Sequence, residues 1–216
     1  MRRSLASGLA LAALLPLVAN CAVKRKQSND GGAVASSNAA VVGKATGATV
    51  RNAINSAAAS GTAATIVARQ MDKQAEELGF ELPGSIVQRI GSGIVFTLPE
   101  GLLFAQDSDQ LTPASRDNLR RLATNLEKYP NTRIMIVGHT DTQGGTERNL
   151  DLSQRRAQAI ANFLVDVGVS NARITALGRG DAEPIATNET DAGRQWNRRV
   201  EIGIYADEAT RFGSRD

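Results

Sequence analysis

The feature that most constrains the fold of this chain is an alternation of strand-like and helix-like segments between residues 84 and 205. It opens with two short runs rich in β-branched residues, at 86–90 and 94–98, which are separated by the tripeptide Gly91-Ser92-Gly93. Two such runs joined through glycine predict a β-hairpin, because glycine supplies the positive φ angles that tight turns need. The hairpin marks the start of the predicted folded domain.

Two helices and three further strands follow the hairpin. Thr112 suits a helix N-cap because Pro113 occupies the first helical position, and the residues Tyr-Pro-Asn at 129–131 end that helix. A second helix is predicted from about residue 145 to residue 167. The further strands are predicted at residues 133–138, 174–177 and 200–204. This order predicts an α/β or α+β sandwich with the helices on one side of a mixed β-sheet.

The first 20 residues have the pattern of an export signal. Two arginines precede an apolar stretch at residues 5–19, which is shorter than the ~20 residues that a membrane-spanning helix needs. The one cysteine of the chain, Cys21, follows in the sequence LVANC, which resembles the lipobox of bacterial lipoproteins. The resemblance implies that Cys21 is acylated, for example with palmitate, and Ala22 after it implies the outer membrane. The alternative is a chance cysteine near an ordinary cleavage site.

Residues 22–62 are rich in Ala, Gly, Ser, Asn and Thr and contain no aromatic residue and no leucine. Such a composition buries little apolar surface, so we interpret the segment as a flexible linker or a weak small-residue helix. Residues 62–78 have helical spacing and predict a helix that ends at Gly79. The predicted organisation is a signal peptide (1–20), a lipidated N-terminus with its spacer (21–83), a folded domain (84–205) and a flexible tail (206–216).

Composition argues against two classes of function. One cysteine and one histidine cannot form a Cys/His zinc site, so we expect neither a metal nor a cofactor. Residues 84–205 hold 14 basic and 14 acidic residues, so their net charge is zero, and the net charge of +3 lies outside them. A nucleic-acid-binding domain concentrates positive charge on its folded part. We therefore expect no nucleic-acid partner.

Polar residues follow a predicted buried strand in the segment GHTDTQG. Ligands of βα units bind beyond the carboxyl ends of strands, so Asp141 is a candidate binding residue; alternatively, it only bonds nearby amides in an Asx turn. Arg156 lies four residues before Ile160, at the apolar stripe of the next helix. A guanidinium beside a hydrophobic core must be paired with a ligand anion or with an acidic side chain of the protein. Alternatively, the long aliphatic part of the side chain carries the guanidinium out to solvent. With Asn149, these two residues form a candidate clamp for a ligand that carries both an ammonium and a carboxylate.

Four segments carry a family resemblance: GHTDTQG, NLDLSQRRA, LGRGDAEPIATN and GRQWNRRVEI. Together they resemble the OmpA-like peptidoglycan-binding domain over about residues 84–205. With its signal, cysteine and spacer, the whole chain resembles small outer-membrane lipoproteins of the OmpA family, of the YiaD type. The resemblance implies an α+β, βαβαβ sandwich whose helices pack on a mixed β-sheet.

The resemblance also implies a ligand and a set of site residues. The family binds peptidoglycan non-covalently through the free end of meso-diaminopimelate, which carries an ammonium and a carboxylate. By motif, Asp141 would receive the ammonium and Arg156 would grip the carboxylate. The supporting residues would be Thr140, Asn149 and Arg198, with Phe104 and Ala105 lining the rim.

The implied function is a non-enzymatic one: a lipid-anchored protein that faces the periplasm and tethers the outer membrane to the cell wall. The alternative is a cell-wall hydrolase or an envelope assembly factor, with envelope proteins as partners of the spacer. A hydrolase triad of His139, Asp141 and Ser153 is disfavoured, because the sequence contains no GxSxG nucleophile elbow to support it. We interpret Trp196 as a packing residue rather than a ligand platform.

Overall fold

The computed structural model of the chain describes residues 47–59, 61–81, 85–105 and 108–208. All of these residues fall within one compact unit. The predictions for the signal peptide, for Cys21 and for the end of the tail lie outside the described residues.

The described residues form helices and strands in an alternating order. The helices are α1 (Ala48–Ser56), α2 (Gly61–Glu81), α3 (Glu100–Leu103), α4 (Pro113–Lys128), α5 (Thr146–Asp166) and α6 (Asp191–Asn197). The strands are β1 (Ile86–Ile90), β2 (Gly93–Pro99), β3 (Thr132–His139), β4 (Ile174–Gly178) and β5 (Arg199–Ala206). The structure confirms the predicted hairpin, the two long helices after it and the three later strands. It also confirms the predicted N-cap of α4, because the Thr112 side chain accepts a hydrogen bond from the Ser115 N–H.

The five strands form one mixed sheet in the order β1-β2-β5-β3-β4. The β3–β4 pair is parallel and the other pairs are antiparallel. The parallel pair requires a crossover, which α5 provides. The predicted mixed sheet of the α+β class is therefore confirmed.

Successive residues of the central strands face opposite sides of the sheet, and both sides are covered. On one side, Ile94, Phe96 and Ile136 pack in a large core with residues of α2, α4 and α5. On the other side, Val95 and Val137 pack against residues of α1. The two long helices between the strands lie on one side of the sheet, as predicted, but the sequence did not predict that α1 covers the other side.

The sheet has space for α1 because two of its positions are glycine. A Cβ on Gly203 would lie 2.6 Å from Cγ1 of Val50, and a Cβ on Gly93 would lie 2.7 Å from Cγ2 of Ile54. The Val50 and Ile54 side chains are both fully buried. Helix α1, which lies in the segment interpreted as a spacer, is thus packed onto the domain. Helix α2 is also packed onto it, through contacts with β1 and α4.

Candidate functional site

Three neighbouring strands have their ends at one edge of the sheet. Arg199, the first residue of β5, pairs with Pro99 at the end of β2 and with His139 at the end of β3. The residues just beyond these ends are Glu100, Arg198 and Thr140. The topology therefore brings side chains from distant parts of the sequence to one place.

Four charged side chains meet at this edge, and we call them the four-charge cluster: Glu100, Asp141, Arg156 and Arg198. Arg198 Nη1 donates to Asp141 Oδ2 at 2.7 Å, and its Nε lies 3.5 Å from Glu100 Oε2. Arg156 Nη2 donates to Glu100 Oε1 at 2.5 Å. The charges alternate in sign along the cluster and sum to zero.

The Arg156 side chain forms the inner end of the cluster. It is only 3% exposed, its Nε donates to the Ser108 carbonyl at 2.9 Å, and its guanidinium carbon lies 5.3 Å from the centre of the Phe104 ring. Of the possibilities that the sequence left open, pairing with an internal acid is the one observed. That acid, Glu100, was missed because it lies 56 residues away in the chain and belongs to no quoted motif.

The Asp141 side chain is buried and has two partners. Its Oδ1 accepts from the Gln143 N–H at 2.9 Å, as in an Asx turn, and its Oδ2 accepts from Arg198. Asn149 Nδ2 donates to the Asp141 carbonyl at 3.0 Å, so it fixes the loop rather than facing a clamp between two charges. Asp141 is thus held both by the Asx turn and by a counter-ion.

The remaining predicted site residues differ in their exposure. Thr140 is buried, and its Oγ1 has no hydrogen-bond partner among the described residues. Phe104 was predicted to line the rim, but it is 3% exposed and lies against Arg156 instead. Ala105 is exposed, as a rim position requires. Trp196, interpreted as a packing residue, is 38% exposed on α6.

The three candidates for a hydrolase triad do not form one. Ser153 Oγ donates to the Leu150 carbonyl and accepts from the Gly180 N–H. Neither ring nitrogen of His139 has a hydrogen-bond partner among the described residues. The His139 ring lies on the side of the sheet that α1 covers. It is next to Gly47, since a Cβ added to Gly47 would lie 3.2 Å from Cε1 of His139.

A second charged group is buried on that side of the sheet. Glu201 is fully buried and accepts from Arg199 Nε at 2.7 Å and from the Gly47 N–H at 2.8 Å. Burial raises the pKa of the Glu201 carboxyl, against the opposing effects of Arg199 and the Gly47 N–H. Burial, with Arg199 and Arg179 nearby, lowers the pKa of the His139 imidazole to about 2. His139 is therefore neutral in the folded protein.

This buried imidazole predicts a loss of stability in mild acid. In the unfolded chain the pKa of His139 is about 6.5, so below that pH the unfolded chain binds a proton that the folded protein does not bind. Stability therefore falls as the pH falls. We expect His139 to lower the free energy of unfolding by about 1 kcal/mol for each pH unit between pH 6 and pH 5. Urea unfolding of the wild type and of His139→Leu at several pH values measures this contribution as the difference between their slopes. Equal slopes would contradict it.

Other features of the described residues bear on the class of protein. No group of three or more His, Cys, Asp and Glu side chains there is placed to hold a metal ion. No helix within the described ranges is long and apolar enough to cross a membrane.

The sequence and the fold resemble those of known proteins. The sequence pattern of the OmpA family matches residues 103–198. The outer-membrane lipoprotein YfiB of Pseudomonas aeruginosa is 36% identical over 132 residues, which are 61% of this chain and 74% of YfiB. The protein named "Probable lipoprotein YiaD" of Escherichia coli K12 is 39% identical over 136 residues. That match spans 62% of this chain and 62% of the length of YiaD.

A solved structure agrees with these relatives. The cell wall anchor of the T6SS from Pseudomonas aeruginosa superposes with a TM-score of 0.54 at 33% identity, over 63% of this chain and 97% of that chain. The chain belongs to the OmpA family.

Proposed function

We propose that this chain binds peptidoglycan non-covalently at the four-charge cluster and tethers the outer membrane to the cell wall. The observation that carries the proposal is the cluster itself, in which two carboxylates and two guanidiniums alternate at one edge of the sheet. The similarity to a cell wall anchor and to an outer-membrane lipoprotein supports it. In this proposal the protein is anchored in the outer membrane by its lipid and faces the periplasm.

The sign pattern of the cluster favours a ligand that carries both charges. A ligand with one ammonium and one carboxylate can insert between the pairs and leave the charges balanced, whereas a ligand with one charge leaves a buried group unpaired. The free end of meso-diaminopimelate in the peptidoglycan stem peptide carries both groups. We therefore infer that this end is the bound group.

The burial of the cluster supports an order of contacts. Arg198 is its most accessible member, with its side chain 37% exposed, whereas Asp141 and Arg156 lie deeper. In the proposed complex the ligand ammonium replaces Arg198 on Asp141, and the freed guanidinium joins Arg156 in binding the ligand carboxylate. Thr140 Oγ1, which lacks a partner among the described residues, supplies a further hydrogen bond.

Sedimentation with purified peptidoglycan tests this function against the alternative of a hydrolase. The detergent-solubilised full chain should sediment saturably with the insoluble wall, and the supernatant should contain no new soluble wall fragments. Fragments that accumulate with time would support the hydrolase instead. Failure to sediment would contradict wall binding.

The membrane end of the tether makes a separate prediction. If Cys21 carries several acyl chains, the protein is held stably, because one chain alone gives only marginal membrane binding. We expect Cys21→Ala to move most of the protein from the membrane fraction to the soluble fraction. Fractionation and mass analysis of the N-terminal peptide test this. Unchanged fractionation without lipid mass on that peptide would contradict it.

A further inference from the structure

Helix α1 is the first described element after the predicted tether, and its N-terminus binds a buried carboxylate. Both carboxylate oxygens of Glu201 accept from the Gly47 N–H, at 2.8 and 2.9 Å. The start of a helix carries partial positive charge and unpaired N–H groups, so it is a suitable partner for an anion. The sequence separation of 154 residues makes this a tertiary contact.

One chain of contacts leads from α1 to Arg198. Glu201, held by Gly47, accepts from Arg199 Nε at 2.7 Å. The Arg199 guanidinium also donates to the Asn197 carbonyl at 3.2 Å and to the Glu183 carbonyl at 3.1 Å. These hydrogen bonds fix the backbone on both sides of Arg198. The Arg198 side chain in turn donates to Asp141 in the four-charge cluster.

A second chain of contacts leads from α1 to Thr140. Thr49 Oγ1 donates to Glu183 Oε1 at 2.5 Å and accepts from Arg179 Nε at 2.8 Å. The loop that contains Arg179 and Glu183 also contains Gly180, whose carbonyl accepts from the Thr140 N–H at 2.9 Å. Two sets of hydrogen bonds, which share Glu183, therefore connect α1 to Arg198 of the four-charge cluster and to the neighbouring Thr140.

From these contacts we infer that α1 is a positioning element of the wall-binding site, whose release from the sheet weakens the grip on the zwitterionic ligand. This inference rests on the proposed function. A consequence is that the membrane end of the tether is linked to its wall-binding end. A displacement of the chain before residue 47 would change the contacts of Glu201 and Thr49, and through these contacts the positions of the strand ends. By linkage, bound ligand must also hold α1 on the sheet more firmly.

The test uses the full chain and a matched pair of variants. Val50→Asp with Ile54→Asp places two carboxylates on the buried face of α1 and should release the helix, without a substitution in the sheet or in the cluster. Asn52→Asp with Asn55→Asp adds the same two charges on its exposed face. We expect the first variant to bind diaminopimelate stem peptide about 10-fold more weakly, and the second to bind as the wild type does.

The single histidine reports whether α1 has left the sheet. His139 faces Gly47 of α1, Glu201 and Arg199 of β5, and the Arg179 and Glu183 side chains of the loop after β4. In the wild type its NMR signal should not titrate between pH 5 and pH 8, whereas in the released variant it should titrate near its ordinary pKa. Circular dichroism shows whether that variant remains folded under the conditions of the binding assay.

Two further measurements keep the inference testable if the double variant does not fold. Thr49→Val removes one set of contacts and should weaken peptide binding about 3-fold. In the wild type, hydrogen exchange of the Gly47 and Thr49 amides should slow when the peptide binds. Full affinity in a folded, released variant, or unchanged exchange on binding, would overturn the inference. Failure of the wild type to bind the peptide would instead overturn the proposed function.

Discussion

An Arg156→Ala variant should bind diaminopimelate-type peptidoglycan about 10- to 100-fold more weakly than the wild type. The expected loss reflects one charge-assisted contact to the ligand carboxylate, which contributes about 1.5–3 kcal/mol. The variant should fold, because Arg198 remains near Glu100 as a counter-ion. Asp141→Ala should have a similar effect, and the two losses should be less than additive, since either change frees the other end of the ligand.

The neighbouring arginine provides the control. Arg155 is exposed and pairs with Asp109 and Asp151, so Arg155→Ala removes the same charge from the same helix without touching the cluster. Its affinity for peptidoglycan should stay within about 2-fold of the wild type. Arg156→Lys keeps the charge but lacks the guanidinium fork, and should lie between wild type and Arg156→Ala. Equal losses in the Arg155 and Arg156 variants would indicate general charge attraction and contradict the assigned role.

Replacing Glu201 by glutamine should cost about 3–5 kcal/mol in the free energy of unfolding, because it leaves a buried guanidinium without its carboxylate. Arg199 is 1% exposed and both of its contacts to Glu201 are 2.7 Å long, so solvent cannot compensate. The change also removes the charged acceptor of the Gly47 N–H. Urea unfolding of Glu201→Gln and of the wild type, at pH 7, measures the loss.

An exposed ion pair provides the comparison for Glu201. Asp151→Asn removes one of the two carboxylate partners of Arg155 on the surface of α5, where solvent screens the pair, and should cost less than about 1 kcal/mol. If the two substitutions change the free energy of unfolding equally, the buried pair does not have the role described.

The parts of the fold that the sequence predicted are those that local chemistry determines. The hairpin at Gly91 and the helix start at Thr112 depend on turn and cap residues a few positions apart, and both are confirmed. Helix α1 has nine residues, too few for a helix to be stable alone, and its stability comes from packing on β-strands far away in the sequence. No local pattern could have indicated that it covers the second face of the sheet.

The same distinction applies to the site. Asp141 and Arg156 could be predicted because one follows a buried strand and the other lies beside an apolar stripe. Their pairing with counter-ions could not be predicted. Arg198 was named only through the family resemblance and Glu100 was not named at all, because both reach the cluster through the pairing of β2, β5 and β3. The internal ion pairs change the expected chemistry. In the proposed complex the ligand exchanges partners within a balanced cluster, whereas the sequence had indicated an open clamp.

Isothermal titration with paired stem peptides tests the central claim most directly. One peptide carries meso-diaminopimelate, and the other carries lysine, which keeps the ammonium and lacks the carboxylate. The wild type should bind the lysine peptide about as weakly as Arg156→Ala binds the diaminopimelate peptide, and that variant should barely distinguish the two. Equal affinity of the wild type for both peptides would contradict the assignment of Arg156 to the ligand carboxylate.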